Sequence, residues 1–202
     1  MDGMNASDMG SAPDRSPGST RTSAGSLCLD LVATIEEPAG RRLDRLSTTT
    51  ELAAWFALVG LPEPAGGFTA SDLDDTRQLR AAIDAIARAL LAGTAPEPAL
   101  VRRLNNVVRH ATPVFLMQSS GREQIAVAEV DAAAALAVIA RDTVNLLSGP
   151  DIVRLRACEG CGALFYDRSP SGRRRWCSMQ RCGERVASAA YRLRVASRAA
   201  SA

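Results

Sequence analysis

Two cysteine pairs lie in the last quarter of the chain, Cys158-Glu-Gly-Cys161 and Cys177-Ser-Met-Gln-Arg-Cys182. Thiolates are soft ligands, and a two-residue gap lets a tight turn aim both sulfurs at one ion. Gly160 and Gly162 suit that turn because glycine accepts positive φ. The four-residue gap of the second pair brings its thiolates together over one helical turn. Four sulfurs complete a tetrahedral Zn²⁺ shell and leave no position for water or substrate, so one structural zinc is expected. Two disulfides are the competing reading. They need an oxidising compartment, and residues 1–25 hold no apolar run of signal-peptide length. Paired C-x-x-C spacing without such a signal favours metal. Cys28, between Leu27 and Leu29, reads as a small buried hydrophobe.

Other chemistry is sparse. His110 is the only histidine and lies where a helix should end, a position that suits a cation. No Ser/His/Asp set forms without it, and no phosphate-binding glycine loop occurs. The expectation is therefore that the chain is not an enzyme.

Charge is divided unevenly. All 24 basic residues are arginine. Between Arg154 and Arg198 stand 11 of them against Glu159, Asp167 and Glu184, a formal +8; the remainder has 13 against 19 acids, or −6. An acidic body with a basic, metal-stapled tail is the electrostatic pattern of a nucleic-acid contact surface. A solvated arginine face that binds nothing is the plain alternative.

These side chains need elements to hold them. Residues 1–25 lack material for a core and read as a disordered leader, and Met1, Met4 and Met9 are each a possible start. Thr48 and Glu51 form a capping box, followed by an apolar face of Leu52, Trp55, Phe56 and Val59. A second helix is predicted from about Ser71 to Leu91, with Leu79, Ile83, Ile86 and Leu90 as its stripe. A third starts near Pro98 and buries Leu100, Leu104, Val107 and Val108. Residues 113–128 break the helical period and predict one β-hairpin turning at Ser119-Ser120-Gly121. A central helix from about Val130 to Leu147 ends at Gly149-Pro150. The fold class is mainly α: a helical domain over 26–150 with one hairpin, and a small treble-clef-like zinc finger over 151–200.

Within the finger, residues 163–167 are predicted to pair with 173–177, placing Arg173, Arg174 and Arg175 on alternate faces of a strand. The core would be Leu164, Phe165, Trp176 and Leu193. Cys182 opens a helix, near Arg181, with Val186, Ala190 and Leu193 on one side and Arg185, Ser188 and Arg192 nearly opposite. The apolar side should pack on the hairpin. Arg173, Arg174, Arg175, Arg181, Arg185, Ser188 and Arg192 are the candidate DNA contacts.

The run Trp176-Cys177-Ser178-Met179 with Cys182-Gly183-Glu184-Arg185 resembles the CGNR zinc finger of bacterial proteins. Residues 29–34, Asp44-x-Leu46, Trp55 and Leu104-Asn105 are similar to the ABATE domain found with it, as is the approach from Ser148 to Arg156. The resemblance covers roughly 26–196. It implies a stress-associated transcription regulator with the finger as DNA reader and the helical domain as a sensor of an unidentified small-molecule effector. Glu184 stands where the signature has asparagine, and Ala187 where lysine is common, so the contact face loses positive charge. Ala33 replaces an asparagine of the N-terminal motif. A regulator of this kind would be cytoplasmic; the apolar run Ala132–Ala140 is too short to span a bilayer. The alternative function is a zinc-clipped module that binds an acidic protein.

Overall fold

The computed structural model describes residues 24–37, 42–112, 115–117, 123–125 and 130–199. Residues 1–23 of the predicted leader, 1–25, and the turn at Ser119–Gly121 lie outside them. Ala24 and Gly25, assigned to the leader from sequence, are packed against the finger.

The order of elements is α1 (Leu27–Val32), β1 (Ile35–Glu36), β2 (Leu43–Asp44), α2 (Thr49–Val59), α3 (Ala70–Leu91) and α4 (Pro98–Val108). Then come β3 (Phe115–Met117), β4 (Glu123–Ile125), α5 (Ala132–Ser148), β5 (Leu155–Ala157), β6 (Leu164–Tyr166) and α6 (Glu184–Ala199). A 3-10 segment, Pro150–Arg154, precedes β5, and a π-helical turn, Met179–Gly183, precedes α6. The protein is mainly α, as its periodicity requires.

The capping box at Thr48 and Glu51 forms as predicted. Thr69 and Asp72 make a second at the start of α3, and Asp131 caps α5 through the Ala134 amide at 2.6 Å. Each such cap stabilises its helix by about 1 kcal/mol. Helix α5 packs against α1, α3 and α4, the central position its all-round apolar sequence demands. Trp55 and Phe56 are fully buried and meet edge-to-face at 5.5 Å. Burying each large apolar side chain is worth roughly 1.5–3 kcal/mol. Cys28 is buried in the same core.

Three two-stranded antiparallel hairpins are described, where the sequence predicts two. The β3–β4 hairpin pairs Phe115 with Ile125 and Met117 with Glu123. The unpredicted β1–β2 pair is only two residues a side, too short for an alternating pattern to register. A half-buried ion pair holds it to α3. Arg80 donates to Thr34 Oγ1 at 2.8 Å and to both Asp44 oxygens at 2.7 and 2.6 Å. Burial pushes the Asp44 carboxyl up, but these bonds outweigh it and hold it below its ordinary value.

The third hairpin corrects the prediction for the finger. Strand β6 pairs with β5, Leu155 opposite Tyr166 and Ala157 opposite Leu164, and residues 173–177 form no strand. The other side of β6 receives the incoming chain, where the Tyr166 amide donates to the Ala24 carbonyl at 2.7 Å. The returning segment is tied instead by single bonds: the Arg174 amide to Asp167 Oδ2 at 2.8 Å and the Glu159 amide to the Arg175 carbonyl at 3.0 Å.

Leu155 and Leu164 belong to the same core as α1–α5. The finger hairpin is thus an integral layer of the helical body. Only Cys158, Phe165 and Cys182, with Trp176 and Cys177 against them, make a separate small core around the sulfurs.

Candidate metal centre

The β5–β6 hairpin carries the first cysteine pair at its tip. The Cys158 amide donates to the Ala163 carbonyl at 2.9 Å, and the Gly162 amide to the Cys158 carbonyl at 2.7 Å, closing the knuckle. Its two glycines serve different needs. Gly162 has φ +70, whereas a Cβ on Gly160 would sit 3.0 Å from the Cys182 Cβ, so close approach requires it.

The second pair is held by Ser178, whose hydroxyl accepts from the Arg181 amide at 3.2 Å and whose carbonyl accepts from the Cys182 amide at 3.0 Å. The wider π turn sets Cys182 beside Cys177 before α6 begins. All four sulfurs lie within 4.8 Å of one another, with Cys161–Cys177 at 3.7 Å and Cys177–Cys182 at 3.8 Å. A tetrahedron with Zn–S bonds of about 2.3 Å requires S–S edges of about 3.8 Å. The donor set and spacing fit one structural zinc ion, with all four positions taken by sulfur. Bonding from the Cys177 thiol draws Cys161 well below the usual thiol range, and a bound metal deprotonates its thiols outright.

Asp167, missed from sequence, organises the loop between the pairs. It is buried and accepts from the Ser169 and Arg174 amides at 2.9 and 2.8 Å. Burial pushes its carboxyl up, but these amides overcome that effect and bring it to about 2. The only sequence signal was an acid ahead of Ser-Pro-Ser-Gly, a loop pattern with many uses.

The arginines divide into two sets. Arg154 donates to the Asp167 and Ser169 carbonyls at 3.0 and 2.8 Å, and Arg156 to that of Gly172 at 3.1 Å. Arg168 clamps the Gly25 carbonyl at 2.7 Å. Arg174 reaches the Cys177 carbonyl at 2.9 Å and lies 5.4 Å over the Phe165 ring. Arg175 pairs with Glu159 at 2.5 Å and stacks 4.9 Å over Trp176. Arg185 donates to the Gly160 carbonyl at 2.7 Å, bracing α6 against the knuckle. Among the described residues, Arg173, Arg181, Arg192 and Arg194 remain exposed with no side-chain hydrogen bond or ion pair. Much of the finger's positive charge therefore holds backbone in place, which charge counting does not distinguish.

Helix α6 departs from expectation. Of the predicted stripe, Val186 lies against Gly160 at the hairpin tip and is still 36% exposed; Leu193 is 69% exposed, and Ala190 is exposed, as is Ser188 across the helix. The helix leaves the finger core after its first turn, so Leu193 cannot reach Phe165. Arg173, Arg174 and Arg175 are all exposed and stand outside any strand, so no sheet face sorts them. Glu184 is exposed at the first position of α6.

A cavity of about 560 Å³ opens where the body meets the finger, lined from both sides. No helix of the described residues is long and apolar enough to cross a membrane.

These features define a mainly α protein stapled at its C-terminal end by a four-cysteine zinc finger. Residues 25–150 match the ABATE family, described as "Putative stress-induced transcription regulator", and residues 154–195 match the CGNR zinc finger. The chain belongs to the ABATE family. None of the curated proteins matches it. The two matches, in that order, describe a zinc-binding regulator.

Proposed function

We propose that the chain is a DNA-binding transcription regulator, in which the zinc finger and α6 contact the duplex and the helical body senses an effector. The observation that carries the reading is the set of uncommitted guanidiniums, which includes Arg173, Arg181 and Arg192, exposed around one zinc-held unit. Phosphate oxygens are the partners such groups lack. Ser188, on the Arg192 side of α6, adds a hydroxyl donor. Arg174, Arg175 and Arg185 act first on the finger itself and reach DNA only as fixed charges. Glu184 opposes phosphate from the start of the same helix.

The test is the affinity of the zinc-loaded chain for duplex DNA across a salt series. Phosphate contacts give a linear fall of log affinity with log salt; a flat dependence would sink the reading. A second reading rests on a separate observation. The stripe Val186–Ala190–Leu193 and Tyr191 are exposed along α6, as suits a helix that docks on a protein. In that reading zinc only clips the helix to the body, and binding to an acidic protein persists while duplex binding is absent.

A further inference from the structure

The cavity at the seam combines three features that suit a small ligand. Its volume, about 560 Å³, falls within the roughly 300–1,000 Å³ of small-molecule sites. Its wall is mixed: Val32, Ala33, Ile35, Ala81, Ala163 and Leu164 give apolar surface, and arginines enter from both partners. It is also shared, with α1, β1 and α3 on one side and the knuckle, the π turn and the start of α6 on the other.

The charges can be assigned one by one. Arg80 is spent on Asp44, Arg88 on Asp84 at 2.9 Å, and Glu36 meets Arg45 at 3.6 Å. Arg185 keeps its bond to Gly160. That leaves Arg42, Arg181 and Arg185 as net cations against Glu37 on the described wall. Cys161 and Cys182 line it too, and zinc-bound thiolates there repel an anion. Arg181 and Arg185 stand on the same wall and offset them. Arg42, on the opposite side and exposed, has no partner among the described residues. Arg80, only 3% exposed, keeps both terminal nitrogens on Asp44 and adds no free charge to the wall.

We propose that this seam cavity binds one small organic anion with an apolar body, its acid group directed to Arg42 and its body against Ala33, Ala81 and Leu164. Ala33 and Ala81 leave the space that larger side chains would fill. The site sits where occupancy can be felt by the finger. Arg88, anchored on α3, donates to the Gly162 carbonyl at 3.2 Å across the seam, and a ligand that touches both walls favours the body–finger arrangement that fits it. This deepens the sensing half of the proposed regulator, and only its effect on DNA depends on that reading.

Binding is tested without DNA, on the zinc-loaded full chain. The anionic probe is 8-anilinonaphthalene-1-sulfonate, and N-phenyl-1-naphthylamine is its uncharged counterpart. The expected result is one saturable sulfonate site per chain. Ala81→Trp, which fills the cavity from an exposed helix position, should weaken both probes at least about tenfold, about 1.4 kcal/mol. Arg42→Gln should weaken the sulfonate several-fold and leave the neutral probe unchanged. Far-ultraviolet circular dichroism confirms that each variant is folded, and Arg42→Gln carries the test if Ala81→Trp is not. Absence of a saturable site overturns the proposal, as does sulfonate binding indifferent to both substitutions. Weakening by Ala81→Trp alone overturns the anion assignment. Loss of duplex binding by the native chain would refute the DNA reading and leave these results standing.

Discussion

Arg192 and Arg173 offer the sharpest test of DNA contact, because neither supports the finger. If Arg173, Arg181 and Arg192 each neutralise one phosphate, the slope of log affinity against log salt is about −2.7, and affinity falls roughly 40-fold between 50 and 200 mM. Arg192→Ala should flatten the slope to about −1.8 and reduce that fall to roughly 12-fold. Arg173→Ala should do the same, and the double variant should leave a slope of about −0.9. Arg175→Ala is the internal control. Its guanidinium is engaged by Glu159 and stacked on Trp176, so its loss should move the slope much less. Fluorescence anisotropy of a labelled duplex reads these values, with metal content checked for every variant. A double variant with the native slope and full zinc would refute the assignment of these guanidiniums to phosphate. If Arg175→Ala instead flattened the slope as much as Arg192→Ala, the division of the arginines into structural and contacting sets would be wrong.

Metal analysis should find one zinc per chain, lost in Cys177→Ser and retained in Cys28→Ser; full, chelator-resistant zinc in the first variant rules out this ligand set. Chelation should expose residues 173–199 to proteolysis while α1–α5 keep a cooperative melt, because Leu155 and Leu164 belong to the body's core; collapse of the whole chain on chelation would contradict that layering. Glu184→Asn should tighten duplex binding a few-fold with unchanged zinc content, and an unchanged affinity would place the contact surface elsewhere. Burial, and then the neighbouring Asp142, raise the Asp30 carboxyl to about 6 from 3.8, against the bond from the Ala24 amide. Since the folded form holds its proton to higher pH, stability falls as pH rises from about 4 to 6. Asp30→Asn should be near neutral below pH 4 and stabilising above pH 6 by at most about 3 kcal/mol in denaturant melts. An effect confined to low pH would reverse the assigned sign.

The metal ligands were legible because coordination chemistry is written in short-range spacing: Cys158/Cys161 and Cys177/Cys182 need only a turn each. Helices α2–α5 were legible for the same reason, since caps and a 3.6-residue period are local. Even the Asp44 of the family resemblance was visible, though not its purpose. That purpose lies in Arg80, 36 positions away, and no pattern along the chain pairs them. The partner of β6, read from sequence as 173–177, is 155–157 instead. It was settled by Ala24 occupying the other side of β6 and by Asp167 capturing the Arg174 amide. Sequence counted eleven arginines as one basic surface. Only the fold shows which of them are spent on carbonyls and carboxylates, because a guanidinium's partner is set by three-dimensional proximity. The exposed stripe of α6 follows the same logic: amphipathic spacing establishes that a helix has an apolar face, while tertiary structure decides whether anything lies against it.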